Sequence, residues 1–194
     1  MKPIFTIHAG EFVFGERIEQ KHKDLKLWIP SKDTGVDFLV TNKDHKKTTA
    51  VQVKMSKDYR PQMAEIAQTN FEKRLRAGGW FRFQHKKLEE SRADIWSLIL
   101  IFHENKSKPV FINANPRRLL EKLMKIHGKK QTYDVYPWVL KIKQEGEGKD
   151  KLICLDGRGL LKKDKELLSK GEFNPDRDLQ EFYENWDFLD GLKD

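Results

Sequence analysis

The stretch Ile95-Trp96-Ser97-Leu98-Ile99-Leu100-Ile101-Phe102 constrains the fold more than any other, because it is a nearly unbroken apolar run in a chain that is 35% charged. A strand with one wet face alternates apolar and polar residues. Residues 93–102 do not, so they are expected to form a central strand covered on both faces. Only 38% of the 194 residues are hydrophobic, yet they gather in compact runs that a disordered chain lacks. The expectation is one α+β domain over residues 1–194, with a mixed sheet and a heavily charged surface.

Around that strand the pattern predicts a helix over residues 10–23 and a short strand over 25–29 that Pro30 ends. Polar, glycine-terminated turn chemistry follows at 31–35. Strands at 36–41 and 49–54, joined by the polar tip 42–47, read as a hairpin. Met63, Ile66, Ala67, Phe71 and Leu75 recur at helical spacing until Gly78-Gly79. A strand is expected at 110–112. Asn115-Pro116 should then cap a helix carrying Leu119, Leu120, Leu123, Met124 and Ile126. Residues 136–142 and 151–155 read as a second hairpin. The remainder, 160–189, reads as helical, with its aromatics Phe173, Phe182, Tyr183, Trp186 and Phe188 docked on the core.

Three residues stand out by position. Asp37 opens one predicted strand just after the turn Asp33-Thr34-Gly35, and Gln52 and Lys54 lie near the end of the next. Side chains alternate across a strand, so Gln52 and Lys54 share one face while Val51 and Val53 take the other. If the two strands pair, a carboxylate, an amide oxygen and an ammonium meet at a sheet rim. Phosphodiester hydrolysis needs such a set. Magnesium takes oxygen ligands and keeps several waters, so Asp37 as anionic anchor, the Gln52 oxygen and the Val53 carbonyl suffice beside a substrate phosphate. Lys54 would orient the attacking water and stabilise transition-state charge. The plain alternative is that Asp37 is a turn residue and Lys54 an exposed strand end.

Asp37 followed fifteen residues later by Gln52-Val53-Lys54 resembles the signature of the PD-(D/E)xK nuclease superfamily, which includes restriction enzymes and junction-resolving nucleases. The resemblance covers the first half of the chain, about residues 10–102, and implies a restriction-endonuclease-like core of helix, three-stranded meander, helix and strand. Residues from about 108 to 194 would form an extension of a hairpin and helices. It further implies an acidic residue from the first helix at the metal site, for which Glu11 and Glu16 both qualify. Glu11 is preferred because Gly10-Glu11, paired with Asp-x-Gly-x-Asp and Gln-x-Lys, is similar to one subgroup. Val36 stands where the family has proline. Gln52 stands where it usually has an acid, which removes one negative charge from the site. The implied activity is a magnesium- or manganese-dependent endodeoxyribonuclease acting in restriction or genome defence. The alternatives are a repair or junction-resolving nuclease and an inactive nucleic-acid-binding module of the same fold.

The charge agrees with such a substrate: 38 Lys and Arg against 30 Asp and Glu leave +8, which favours a polyanion such as double-stranded DNA. Lys57, Tyr59 and Arg60, just past the active strand, are candidate phosphate contacts. So are Arg82, Lys86 and Lys87 in the segment Trp80-Phe81-Arg82-Phe83-Gln84-His85-Lys86-Lys87, whose aromatics are expected to be buried. The single cysteine, Cys154, excludes an internal disulfide and a thiolate zinc cluster, and reads as a buried hydrophobe. The six histidines are dispersed, no Gly-x-Ser-x-Gly elbow occurs, and Gly146-Glu147-Gly148-Lys149 lacks P-loop spacing. No apolar run reaches membrane-spanning length, and a cytoplasmic protein is expected, with a homodimer as the arrangement that double-strand cleavage would require.

Overall fold

A computed structural model describes residues 8–32, 34–56, 74–100, 108–143, 150–157 and 174–192. Helix α1 (Ala9–Lys21) buries Gly10, Phe14 and Ile18, a row at four-residue spacing that forms one helical face. Strands β1 (Lys26–Trp28), β2 (Phe38–Thr41) and β3 (Thr48–Ser56) follow as an antiparallel meander, with Phe38 opposite Val51 and Thr41 opposite Thr48. After β4 (Leu75–Gly78), β5 (Phe81–Gln84) and the short helix α2 (His85–Glu89), the chain returns as β6 (Ile95–Leu100), parallel to β3. Strand β7 (Val110–Ala114) adds antiparallel to β6 and completes a five-stranded sheet of order β1-β2-β3-β6-β7.

β6 is flanked on both sides and covered on both faces, as its composition predicts. Trp96, Leu98 and Leu100 enter one apolar cluster, while Ile95 and Ile99 face the other. The first cluster lies against α2, β5 and helix α3 (Pro116–His127), and the second lies beneath α1. The Asn115 side chain accepts from the Arg117 and Arg118 N–H groups, with Pro116 at the first helical position, as expected of that dipeptide.

Beyond α3 come β8 (Thr132–Val135), β9 (Pro137–Lys143) and β10 (Asp150–Asp156). The predicted hairpin is present as β9 and β10, but two pairings depart from expectation. β4 joins β9 to make a sheet of order β10-β9-β4, so Leu75 is a strand residue and not the end of a helix. β8, absent from the sequence reading, pairs with β5. The rest of the helix predicted from Met63 lies outside the described residues.

The C-terminal segment corrects part of a second expectation, the helix over 160–189, of which residues 160–173, Phe173 among them, lie outside the described residues. Residues 174–192 carry no α-helix and run as a strap of three 3-10 turns, Pro175–Arg177, Gln180–Phe182 and Asp187–Leu192. The strap crosses the open edge of β7, where the Glu184 N–H donates to the Phe111 carbonyl at 2.8 Å. It buries Phe182 in one cluster and Leu189 and Leu192 in the other. Glu184 fastens it. Its carboxylate accepts from Arg17 of α1 at 3.1 Å, the Phe111 N–H at 2.9 Å and the Trp186 indole at 3.2 Å. The Arg17 guanidinium lies over the rings of Phe111 and Trp186, 5.7 and 5.5 Å from their centroids.

Candidate functional site

Just before β2 begins, Asp37 carries on the ladder to β3. Its N–H donates to the Val51 carbonyl at 2.9 Å, and its Oδ2 accepts the Val53 N–H at 2.7 Å, in place of a further strand residue. Continuing the register from Phe38 and Val51 sets Asp37 opposite Gln52 on the face shared with Lys54. The turn that delivers it depends on Gly35, whose φ of 80° is left-handed backbone that costs a side-chain-bearing residue about 1 kcal/mol or more.

Asp37, Gln52, Val53 and Lys54 line one open cleft of about 680 Å³. Glu11 lines it too, delivered by α1. Gly10 explains how the helix comes so close: a Cβ there would lie 2.8 Å from the Cβ of Met55 on β3. Of the two candidate glutamates the cleft thus receives Glu11. Glu16 instead accepts from Gln20 along the helix at 3.1 Å. The Glu11 carboxylate also accepts the His8 N–H at 3.2 Å, which steadies the first turn of α1.

Sequence reasoning did not single out the aromatic residue that lies against Lys54. Trp96 sits beside Gln52 in the β3–β6 register, and the Lys54 Nζ lies 4.9 Å from the centre of its indole ring. The indole N–H is bound in turn by the Ser91 hydroxyl at 2.9 Å. Its place in the apolar run hid this role, since Trp96 is a buried core residue that also lines the cleft.

Lys86 and Lys87 reach the cleft from α2, joined by Arg92, so that four Lys and Arg side chains face the carboxylates of Glu11, Asp37 and Glu90. Arg82 does not join them. It is paired with Asp134 at 2.7 Å and lies 5.6 Å from the ring centre of Trp80. The hydrogen bond and charge of Asp134 push its pKa up from the ordinary value. Phe81 and Phe83 are buried as expected, but Trp80 is 42% exposed. Lys57, Tyr59 and Arg60 lie outside the described residues.

The oxygen donors of the cleft include the Asp37 and Glu11 carboxylates and the Gln52 amide, a hard set suited to a cation that retains water. Among the described residues no three His, Cys, Asp or Glu side chains gather as a metal-binding group. Cys154 is fully buried, and loss of solvation pushes its thiol far up, with Asp178 and Asp156 adding to the shift, so it is no nucleophile. Among the described residues no helix is long and apolar enough to cross a membrane. No family model, curated protein or solved structure matches the chain.

Proposed function

We propose that the cleft is the active site of a divalent-metal-dependent endodeoxyribonuclease. The observation that carries this reading is the convergence of Glu11, Asp37, Gln52 and Lys54, from three separate elements, on one cleft rimmed by Lys86, Lys87 and Arg92. Asp37 and Glu11 would hold magnesium or manganese, with the Gln52 amide oxygen and the Val53 carbonyl completing the protein's share of ligands. The bound metal would polarise the scissile phosphate and lower the pKa of an attacking water. Lys54 lies two residues from Gln52 on the same strand face, where its ammonium stabilises charge that develops on the phosphoryl oxygens. The basic rim holds neighbouring phosphates and carries no sequence information by itself.

Two features favour a second reading, a module that binds nucleic acid without cutting it. Gln52 contributes no charge, and one Asp37 oxygen already serves the Val53 N–H. The two readings part at Lys54. In the enzyme, Lys54→Ala abolishes metal-dependent nicking of supercoiled DNA while duplex binding in EDTA survives. If the unaltered protein binds duplex and leaves plasmid intact with magnesium and with manganese, the binding module is correct.

A further inference from the structure

A second cleft, of about 550 Å³, adjoins the first, and Gln84 and Lys86 line both. Its floor is the last rung of the β5–β8 ribbon, Gln84 opposite Thr132, closed by the His85 N–H donating to the Gln131 carbonyl at 2.8 Å. One wall is the start of α2, with His85 and Lys86. The other is the turn after α3, with Lys129 and Lys130. Tyr133, itself buried, ties the two walls. Its hydroxyl lies 3.3 Å from His85 Nδ1 and accepts the Lys130 N–H at 3.2 Å.

The lining differs in kind from that of the first cleft. No carboxylate is among its described lining residues, and Gln84, Gln131 and Thr132 add neutral hydrogen-bonding groups to its cations. Lys86 shares its charge with Glu90 at 3.8 Å, whereas Lys129 and Lys130 have no acidic partner among the described residues. The other lysines of α3 nearby are already neutralised, Lys125 by Asp176 at 3.0 Å and Lys122 by Glu181 at 3.3 Å. Concave shape, exposed cations and the absence of acids among the described lining residues suit a chain of phosphates.

We propose that this cleft carries the phosphate backbone of the same DNA whose scissile bond lies at Asp37, with Lys129 and Lys130 as contacts remote from the chemistry. The proposal rests on the nuclease reading of the first cleft, or on its binding-only alternative, since either brings DNA to Lys86.

The test is a titration of a fluorescently labelled DNA duplex with the full chain, in EDTA so that no cleavage intervenes, over a series of salt concentrations. The double variant Lys129→Gln/Lys130→Gln should lose two phosphate contacts, making the log–log salt slope shallower by about 1.8. Its affinity should fall roughly 60-fold at about 0.1 M salt and converge with that of the unaltered protein near about 1 M. Lys125→Gln, exposed on α3 but already paired, should leave the slope unchanged. If the unaltered protein binds and the double variant keeps its slope, the second cleft carries no backbone and the reading of the first stands. If the unaltered protein fails to bind duplex even at low salt, both fall together.

Discussion

Gly10→Ala sets two opposing effects against each other, and the packing of α1 on β3 decides the sign. Alanine favours a helix over glycine by up to about 1 kcal/mol. Its Cβ, however, would stand 2.8 Å from the Cβ of Met55 and 3.4 Å from Val53 Cγ1, where carbon atoms ordinarily rest at about 3.5–4.0 Å. The Met55 Cβ is fixed to the strand backbone and cannot rotate aside, so α1 must lift by about 1 Å. Such overpacking costs about 1–3 kcal/mol, and after the helix gain the net loss should be up to about 2 kcal/mol. In a chain of this length each kcal/mol moves the midpoint by about 2–4 °C, so thermal unfolding followed by circular dichroism should show a fall of several degrees. Gly15→Ala is the matched control in the same helix. A Cβ there meets only Leu27 at 3.6 Å and Phe38 at 4.0 Å, ordinary contacts, so the helix gain should survive and the midpoint rise. Should Gly10→Ala stabilise the protein as Gly15→Ala does, α1 does not lie against β3 and Glu11 is not held at the cleft.

Two further outcomes follow from the strap and the core. Glu184→Ala leaves Arg17, the Phe111 N–H and the Trp186 indole without their acceptor, and should cost about 2–4 kcal/mol in urea unfolding, with Glu184→Gln costing less. A loss under about 0.5 kcal/mol would mean that the strap does not clamp α1 to β7. Cys154 titrates above the ordinary thiol range when folded, so its contribution is intact below that range and lost as pH rises through it, because only the unfolded chain releases the proton. Urea unfolding between about pH 9 and 11 should therefore lose stability by up to about 1.4 kcal/mol per pH unit, and Cys154→Ala should show a shallower slope. Equal slopes would contradict the burial.

Local chemistry was legible where it is local. The β2–β3 hairpin, the Asn115 cap, the buried Cys154 and the double-sided strand β6 each follow from residues within a few positions of one another. That legibility extended to the site, because strand alternation and one short connection suffice to bring Asp37 beside Gln52 and Lys54. Long-range pairing was not legible. Leu75 fits a helical spacing, but β4 takes its hydrogen bonds from β9, more than sixty residues away, and that pairing overrides the local pattern. The strap misled for a different reason. Phe182, Trp186 and Leu189 have the spacing of a helix face, yet Phe182 belongs to the cluster on one side of the sheet while Trp186 and Leu189 belong to the other. Residues that serve two faces of a sheet do not form one face of a helix. Trp96 shows the same limit, since only the folded register brings its ring under Lys54.

The most direct test of the proposed site is metal-dependent nicking of supercoiled plasmid by the unaltered chain and by Asp37→Asn. Asparagine keeps an oxygen to accept the Val53 N–H, so the variant should fold while losing the carboxylate charge. Nicked circles should accumulate with magnesium or manganese, stop with EDTA, and be absent for Asp37→Asn. Plasmid left intact by the unaltered chain with both metals, or nicked equally by Asp37→Asn, would contradict the assignment of catalysis to this cleft.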